Sequence, residues 1–400
     1  MRSVILDVGS LYTKAGFSGE IAARQVLRSC VGTPRHPGAC MKFFDPHTAD
    51  YVAGNEAFSD RGLLNLRWPV RYGHIMDFES YEYLLYHTLY RSLEVVPDAT
   101  PLLLIQPTTQ SHKDRERVAE VLFETFNIPL LGMLNASTAT VYSTGRTTGI
   151  AVDSGAGKTL ISAVCDSYPL SHTQRFSPIA GDVLTRELFN GLRQKGYPLS
   201  TEKDWAIVET VKETLCRVSR NPTEDRQGVN KHVDATVRFT LPDNEHIFLF
   251  EHEVSLGEKL FDAKLVRQMP SEEEVGMNRY GDPTGYSVTN PACATPFTGW
   301  ADVIEEVIAA APGVYQEELR SNIVLGGGTT MLRDVDIRLQ RELAQRGASS
   351  VVKIIAFRER AQAAWLGGSV WACSPSYPSL CLSKANYFEG GSSTVHHYAC

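Results

Sequence analysis

Residues 149–164 read GIAVDSGAGKTLISAV, and this stretch decides the fold. The apolar run 150–152 ends in Asp153, then Ser154-Gly155-Ala156-Gly157 follow, and a second apolar run begins almost at once. The pattern predicts strand, tight glycine turn, strand: a hairpin whose tip can bring backbone N–H groups to an anion. The same device opens the chain. Val4-Ile5-Leu6 runs into Asp7, then Val8-Gly9-Ser10, then a segment carrying Lys14 and ending in Ala15-Gly16-Phe17. A third glycine turn, Gly326-Gly327-Gly328-Thr329-Thr330, follows the apolar triplet 323–325.

Two hairpins that each place Asp at a strand end before a Gly/Ser turn read as an internal duplication of one phosphate-gripping unit. The turns offer amide donors to phosphate oxygens. Each Asp is placed to hold the hydration shell of a magnesium ion, which keeps several waters and needs few protein carboxylates. An ordinary hairpin is an equal reading of either motif alone; two copies and a third glycine turn favour the functional one. Gly157-Lys158-Thr159 imitates the end of a P-loop. That motif needs Gly where this chain has Val152, and a helix where residues 160–164 are β-rich.

Four hundred residues suffice for two domains with sizeable cores. The 46 acidic and 39 basic residues give a net charge of −7, so no net field favours nucleic acid or an anionic membrane surface. No apolar run approaches membrane-spanning length, and the first residues read as a strand rather than a signal peptide. The 8 cysteines are scattered, without CxxC or a Cys/His cluster, which points to a reduced intracellular protein without structural zinc.

Outward from the hairpins, residues 1–30 read as a strand meander and 31–54 as a projecting loop. Helical patterns at 80–93, 113–126 and 136–143 alternate with strands at 102–105 and 130–134, and the β-α order resumes after residue 164. Residues 201–218 are helical and carry Lys212 and Glu213, 237–250 alternate as a hairpin around Pro242-Asp243, and 221–230 are polar and turn-rich. Residues 270–298, acidic and then rich in Gly, Pro, Thr and Asn, read as a surface insertion. Helices at 300–310, 335–345 and 361–373 complete the chain.

At this point the residues resemble a known family. LDVGS with Lys14-Ala15-Gly16-Phe17, VGTPRH, RGLLNLRWPV before Gly73, FETFNIP, GRTTGIAVDSGAG, KETLC, LGGGTTM, AWLGGS and STVHHYAC are together similar to actin and the actin-related proteins, nearly end to end. The resemblance implies an α/β, actin-like fold of two similar α/β domains, four subdomains around a central nucleotide cleft holding ATP or ADP with Mg. The first domain would take residues 1–145, with a small loop-bearing subdomain at about 31–70, plus the C-terminal segment 359–400. The second would take 146–358, with a subdomain at about 182–262 and the insertion 270–298.

By the same resemblance Asp7, Gly9, Ser10 and Lys14 form the first phosphate loop. Asp153, Ser154, Gly155, Gly157 and Lys158 form the second, with Gly181 beside it. Gly326, Gly327, Gly328 and Met331 lie against the α-phosphate and adenosine, and Lys212 and Glu213 at the adenine and ribose. Asp7 and Asp153 would hold the magnesium through water. Several positions depart from actin. Asn135 stands for the glutamine that places the attacking water, shorter by about 1.5 Å. Ala156 stands for a second aspartate, Leu160 for a water-orienting histidine, Ala361 for an adenine-side lysine and Glu209 for a basic residue near the ribose. The aspartate of actin's AGRDLT run is shifted or lost in Ala180-Gly181-Asp182-Val183, and Tyr72 aligns with a histidine that actin methylates.

Phosphoryl transfer to water depends on placing the water and neutralising charge, so these departures predict nucleotide binding with weak or absent hydrolysis. The expected role is a structural or assembly subunit of a larger cytoskeletal complex in the cytoplasm and cytoskeleton, in a ciliary or axonemal setting among others. Its partners would be other actin-like or cytoskeletal subunits, with no direct nucleic acid and no membrane. The alternatives are a filament-forming actin-like ATPase and a nuclear actin-related subunit of a chromatin-remodelling complex.

Overall fold

A computed structural model describes residues 2–36, 51–107, 110–220, 236–241, 244–266, 298–346 and 351–398. The insertion expected at 270–298, the polar stretch 221–230, the Pro242-Asp243 turn and most of the 31–54 loop lie outside the described residues.

Two sheets carry the architecture. The first has six strands in the order Leu382–Ser383, Leu130–Asn135, Leu102–Gln106, Val4–Val8, Tyr12–Phe17 and Gln25–Arg28. Val4–Val8 pairs antiparallel with Tyr12–Phe17 on one side and parallel with Leu102–Gln106 on the other. The second sheet repeats the arrangement. Gly149–Ser154 pairs antiparallel with Thr159–Cys165 and parallel with Ile323–Gly326, which in turn runs parallel to Ile354–Ile355. The duplication expected from the two Asp-Gly hairpins is therefore present in the strand pairing as well as in the motif.

The pairing follows from residue type. The strands 102–106 and 159–165 are buried at every position, as strands covered on both faces must be, and each is a near-continuous apolar or β-branched run. One core fills the second sheet's surroundings, from Ile150 and Val152 through Val208 and Val211 to Trp300 and Ile304. Two others, around Leu104, Phe123 and Met133 and around Ile5, Ala139 and Trp365, flank the first. A small three-stranded sheet, Val52–Ala53, Val31–Pro34 and Leu64–Arg67, has its own cluster with Leu64 and Trp68.

The chain passes between the sheets at two helices. Ala136–Tyr142 leads from the first sheet into the second, and Ala363–Trp371 leads back. They cross at backbone contact: a Cβ on Gly367 would lie 1.7 Å from the Ala139 carbonyl oxygen. The Trp365 indole N–H donates to the Ile5 carbonyl at 3.1 Å, fixing the returning helix to the strand that began the chain. The helical pattern expected over 113–126 is an α-helix at His112–Glu120 that widens into a π turn at Val121–Thr125. The 361–373 pattern begins as a 3₁₀ turn at Arg360–Gln362.

Candidate functional site

A cleft of about 470 Å³ opens between the two sheets, lined at one end by the two hairpin turns and at the other by the helix Glu202–Leu215. That volume lies within the range of small-molecule and cofactor sites. The hairpin turns approach each other there: a Cβ on Gly157 would meet Ser10 Oγ at 2.8 Å and the Tyr72 amide nitrogen at 3.0 Å. The second turn is anchored through its carbonyls. The Gly155 oxygen accepts from the Gly181 N–H at 3.1 Å and from Thr329 Oγ1 at 2.6 Å, and the Ala156 oxygen accepts from the Asp182 N–H at 2.8 Å. Within each hairpin one glycine amide is used to close the turn, Gly155 N–H donating to the Lys158 carbonyl at 3.0 Å and Gly9 N–H to the Tyr12 carbonyl at 3.1 Å.

Four charged side chains gather at this end. Lys14 Nζ donates to Asp7 Oδ2 at 2.8 Å, the two being partners across the first hairpin. Burial works against the Lys14 charge, but Asp7 and then Asp153 outweigh it and hold the ammonium above its ordinary pKa. Burial and then the neighbouring Asp7 charge push the Asp153 carboxyl up, partly offset by Lys14 and Lys158. Lys158 is driven down to about 8 by burial, with Asp153 working the other way. Two carboxylates and two ammoniums enclosed together form a donor set for a polyphosphate and a hydrated divalent cation, each matched by opposite charge.

The late glycine turn closes the wall. Gly327 sits at φ +87°, and a Cβ there would stand 2.3 Å from the Ser154 carbonyl oxygen and 2.8 Å from Asp153 Oδ1. Only glycine fits that close approach. At the far end Lys212 Nζ is held by Thr185 Oγ1 at 2.9 Å and the Gly181 carbonyl at 3.1 Å. Burial and then the Glu209 charge raise the Glu213 carboxyl above its usual range, against the opposing pull of Lys212 and Arg28.

Of the residues singled out from sequence, Asp7, Gly9, Ser10, Lys14, Asp153, Gly155, Gly157, Lys158, Gly181, Lys212, Glu213, Gly327, Gly328 and Met331 line this one cleft. Ser154, Gly326 and Asn135 are not among the residues lining it. Ser154 is fully buried with its hydroxyl 2.7 Å from Thr159 Oγ1. A Cβ on Gly326 would meet Thr140 at 2.9 Å. Asn135 caps the helix Ala136–Tyr142, its Oδ1 accepting the Ser137 N–H at 2.9 Å. Ala156 and Ala361 line the cleft, whereas Leu160 is buried at 2% exposure and Glu209 at 4%.

Sequence reasoning missed Tyr12, Val26, Leu184 and Leu332, which form apolar wall. Tyr12 was within reach of it: two residues before Lys14 on one strand, it shares a face with that lysine. Among the described residues no group of three or more His, Cys, Asp or Glu is placed to hold a metal directly. No helix among the described residues is long and apolar enough to cross a membrane. The sequence model of one protein family, described as Actin, matches residues 1–400, the whole chain.

Proposed function

Because the chain belongs to the actin family, and is thereby an actin-like nucleotide-binding protein, we propose that it holds ATP or ADP with magnesium in the cleft and hydrolyses it weakly or not at all, as a structural subunit of a larger cytoskeletal assembly. The observation that carries this reading is the enclosure of Asp7, Lys14, Asp153 and Lys158 beneath two facing glycine turns. The turns and lysines would bind the phosphates, Asp7 and Asp153 would orient the waters of the cation, and Lys212 and Glu213 would face the ribose and base. Magnesium, when bound, neutralises phosphate charge.

Weak hydrolysis is supported by the three positions that depart from actin's water-placing residues. Asn135 spends its oxygen on the Ser137 amide, and Ala156 and Leu160 carry no polar side-chain atom. With the Asn135 oxygen engaged and no polar side-chain atom at 156 or 160, the nucleotide acts as a ligand that stabilises the closed cleft by mass action. Partners are then other actin-like or cytoskeletal subunits in the cytoplasm, without direct contact to nucleic acid or membrane, in keeping with the net charge of −7.

Denaturing the purified protein and quantifying released nucleotide, then following one turnover of labelled ATP with magnesium, tests both parts. Stoichiometric nucleotide and ATP that stays intact over hours are expected. The combined variant Asn135→Gln, Ala156→Asp, Leu160→His should speed hydrolysis at least tenfold. Absence of nucleotide overturns the binding site, and rapid hydrolysis by the unmodified chain overturns the structural role in favour of a filament ATPase.

A further inference from the structure

Glu209 stands in the helix Glu202–Leu215, which packs into the core of the second sheet through Val208 and Val211. Arg28 ends the edge strand Gln25–Arg28 of the first sheet. Their side chains meet across the cleft at 2.9 Å, Arg28 Nη1 donating to Glu209 Oε2, although the residues are 181 apart in the chain. The contact is well enclosed, the side chains being 14% and 5% exposed. Arg28 is further held by two rings, its guanidinium carbon 4.4 Å from the centre of Tyr12 and 4.3 Å from that of Phe58. Tyr12 is its cross-strand partner and itself lines the cleft, and Glu213, one helical turn beyond Glu209, lines it too.

An enclosed ion pair whose cation also packs against two aromatic rings is far more constrained than an exposed one, because removing either partner leaves the other charge buried. Read from sequence, Glu209 is a lost basic contact to the ribose. In the structure it has a different employment. We propose that Arg28 and Glu209 form a clasp over the Lys212–Glu213 end of the cleft, a positioning pair that holds the two halves closed and sets how fast bound nucleotide leaves. Opening the cleft must break this pair and draw Arg28 away from its partner, so the pair adds to the barrier for release without touching the phosphates. The clasp rests on the nucleotide reading of the cleft.

The test is release of ethenoadenosine triphosphate, chased with excess ATP, from the full chain and from Arg28→Leu, Glu209→Gln and the double variant. Each single change is expected to speed release about tenfold, with the double variant no faster than the faster single, because both remove one interaction. Thr210→Ala, on the exposed side of the same helix, should release at the unmodified rate. Rates within twofold of the unmodified chain, or effects that multiply in the double variant, overturn the clasp while leaving nucleotide binding intact. If the unmodified chain binds no analogue, the nucleotide reading itself fails, and hydrogen exchange on the ligand-free protein decides the clasp. Loss of protection at Gln25–Arg28 in Glu209→Gln supports a pair that closes the cleft, and unchanged protection overturns it.

Discussion

His74 lies in the short hairpin whose Gly73 abuts the Lys158 side chain, at the back of the second glycine turn. Burial, and then the Lys158 charge, lower its pKa to about 4, with Asp114 a smaller opposing influence. The unfolded chain therefore binds a proton at His74 from about pH 6.5 downward while the folded chain stays neutral until about pH 4. Stability from this group is present above pH 6.5 and is lost as the pH falls toward 4, on the order of 1–3 kcal/mol in all. Urea melts of the protein and of His74→Leu between pH 7 and 4.5 should converge on acidification, and parallel curves would remove His74 as the cause. At this scale the sequence was legible wherever local spacing decides geometry. Asp153 faces the cleft and Ser154 turns away from it, as alternation along a strand requires, though motif resemblance alone had grouped them. Glu209 was not legible, because its meaning depends on a cation 181 residues distant.

At the scale of elements, the crossing of Ala136–Tyr142 with Ala363–Trp371 explains why both helices are rich in small residues. Gly368 lies close to the first sheet, where a Cβ would meet Ile105 Cδ1 at 2.7 Å. The small-residue composition of 136–143 was readable as a tightly packed helix; its partner was not, since 220 or so intervening residues separate them and no pattern within either helix names the other. Gly367→Ala would drive a methyl into the Ala139 carbonyl, and with backbone on both sides neither helix can relax by a rotamer change. A loss of at least about 2 kcal/mol is expected, measured by chemical denaturation. A cost below a few tenths of a kcal/mol would mean the helices are free to separate. The two Asp-Gly hairpins were the most legible elements of all, because apolar runs, turn glycines and strand-end carboxylates lie within sixteen residues of one another.

On the scale of the whole molecule, two sheets with the same hairpin-plus-parallel-neighbour order face one cleft, and a ligand touching both turns ties the halves together. Saturating ATP with magnesium should therefore raise the thermal midpoint by an amount that grows with ligand concentration, corresponding to about 4 kcal/mol at a thousandfold excess over Kd. Calorimetry with and without a chelator measures it, and a midpoint indifferent to nucleotide would place the ligand elsewhere. The return of the chain to its starting sheet has a separate consequence for synthesis. Residues 382–383 complete the sheet that residues 4–8 begin, and Trp365, fully buried, reaches the Ile5 carbonyl. On the ribosome, strand 4–8 thus waits for residues 382–383, while the second sheet, whose last strand is Ile354–Ile355, has all its strands in hand sooner. The sheet begun sooner is thus completed after the one begun later, and its strands stay exposed in the meantime, a long-range closure that is slow and prone to aggregation unless something shelters the nascent chain.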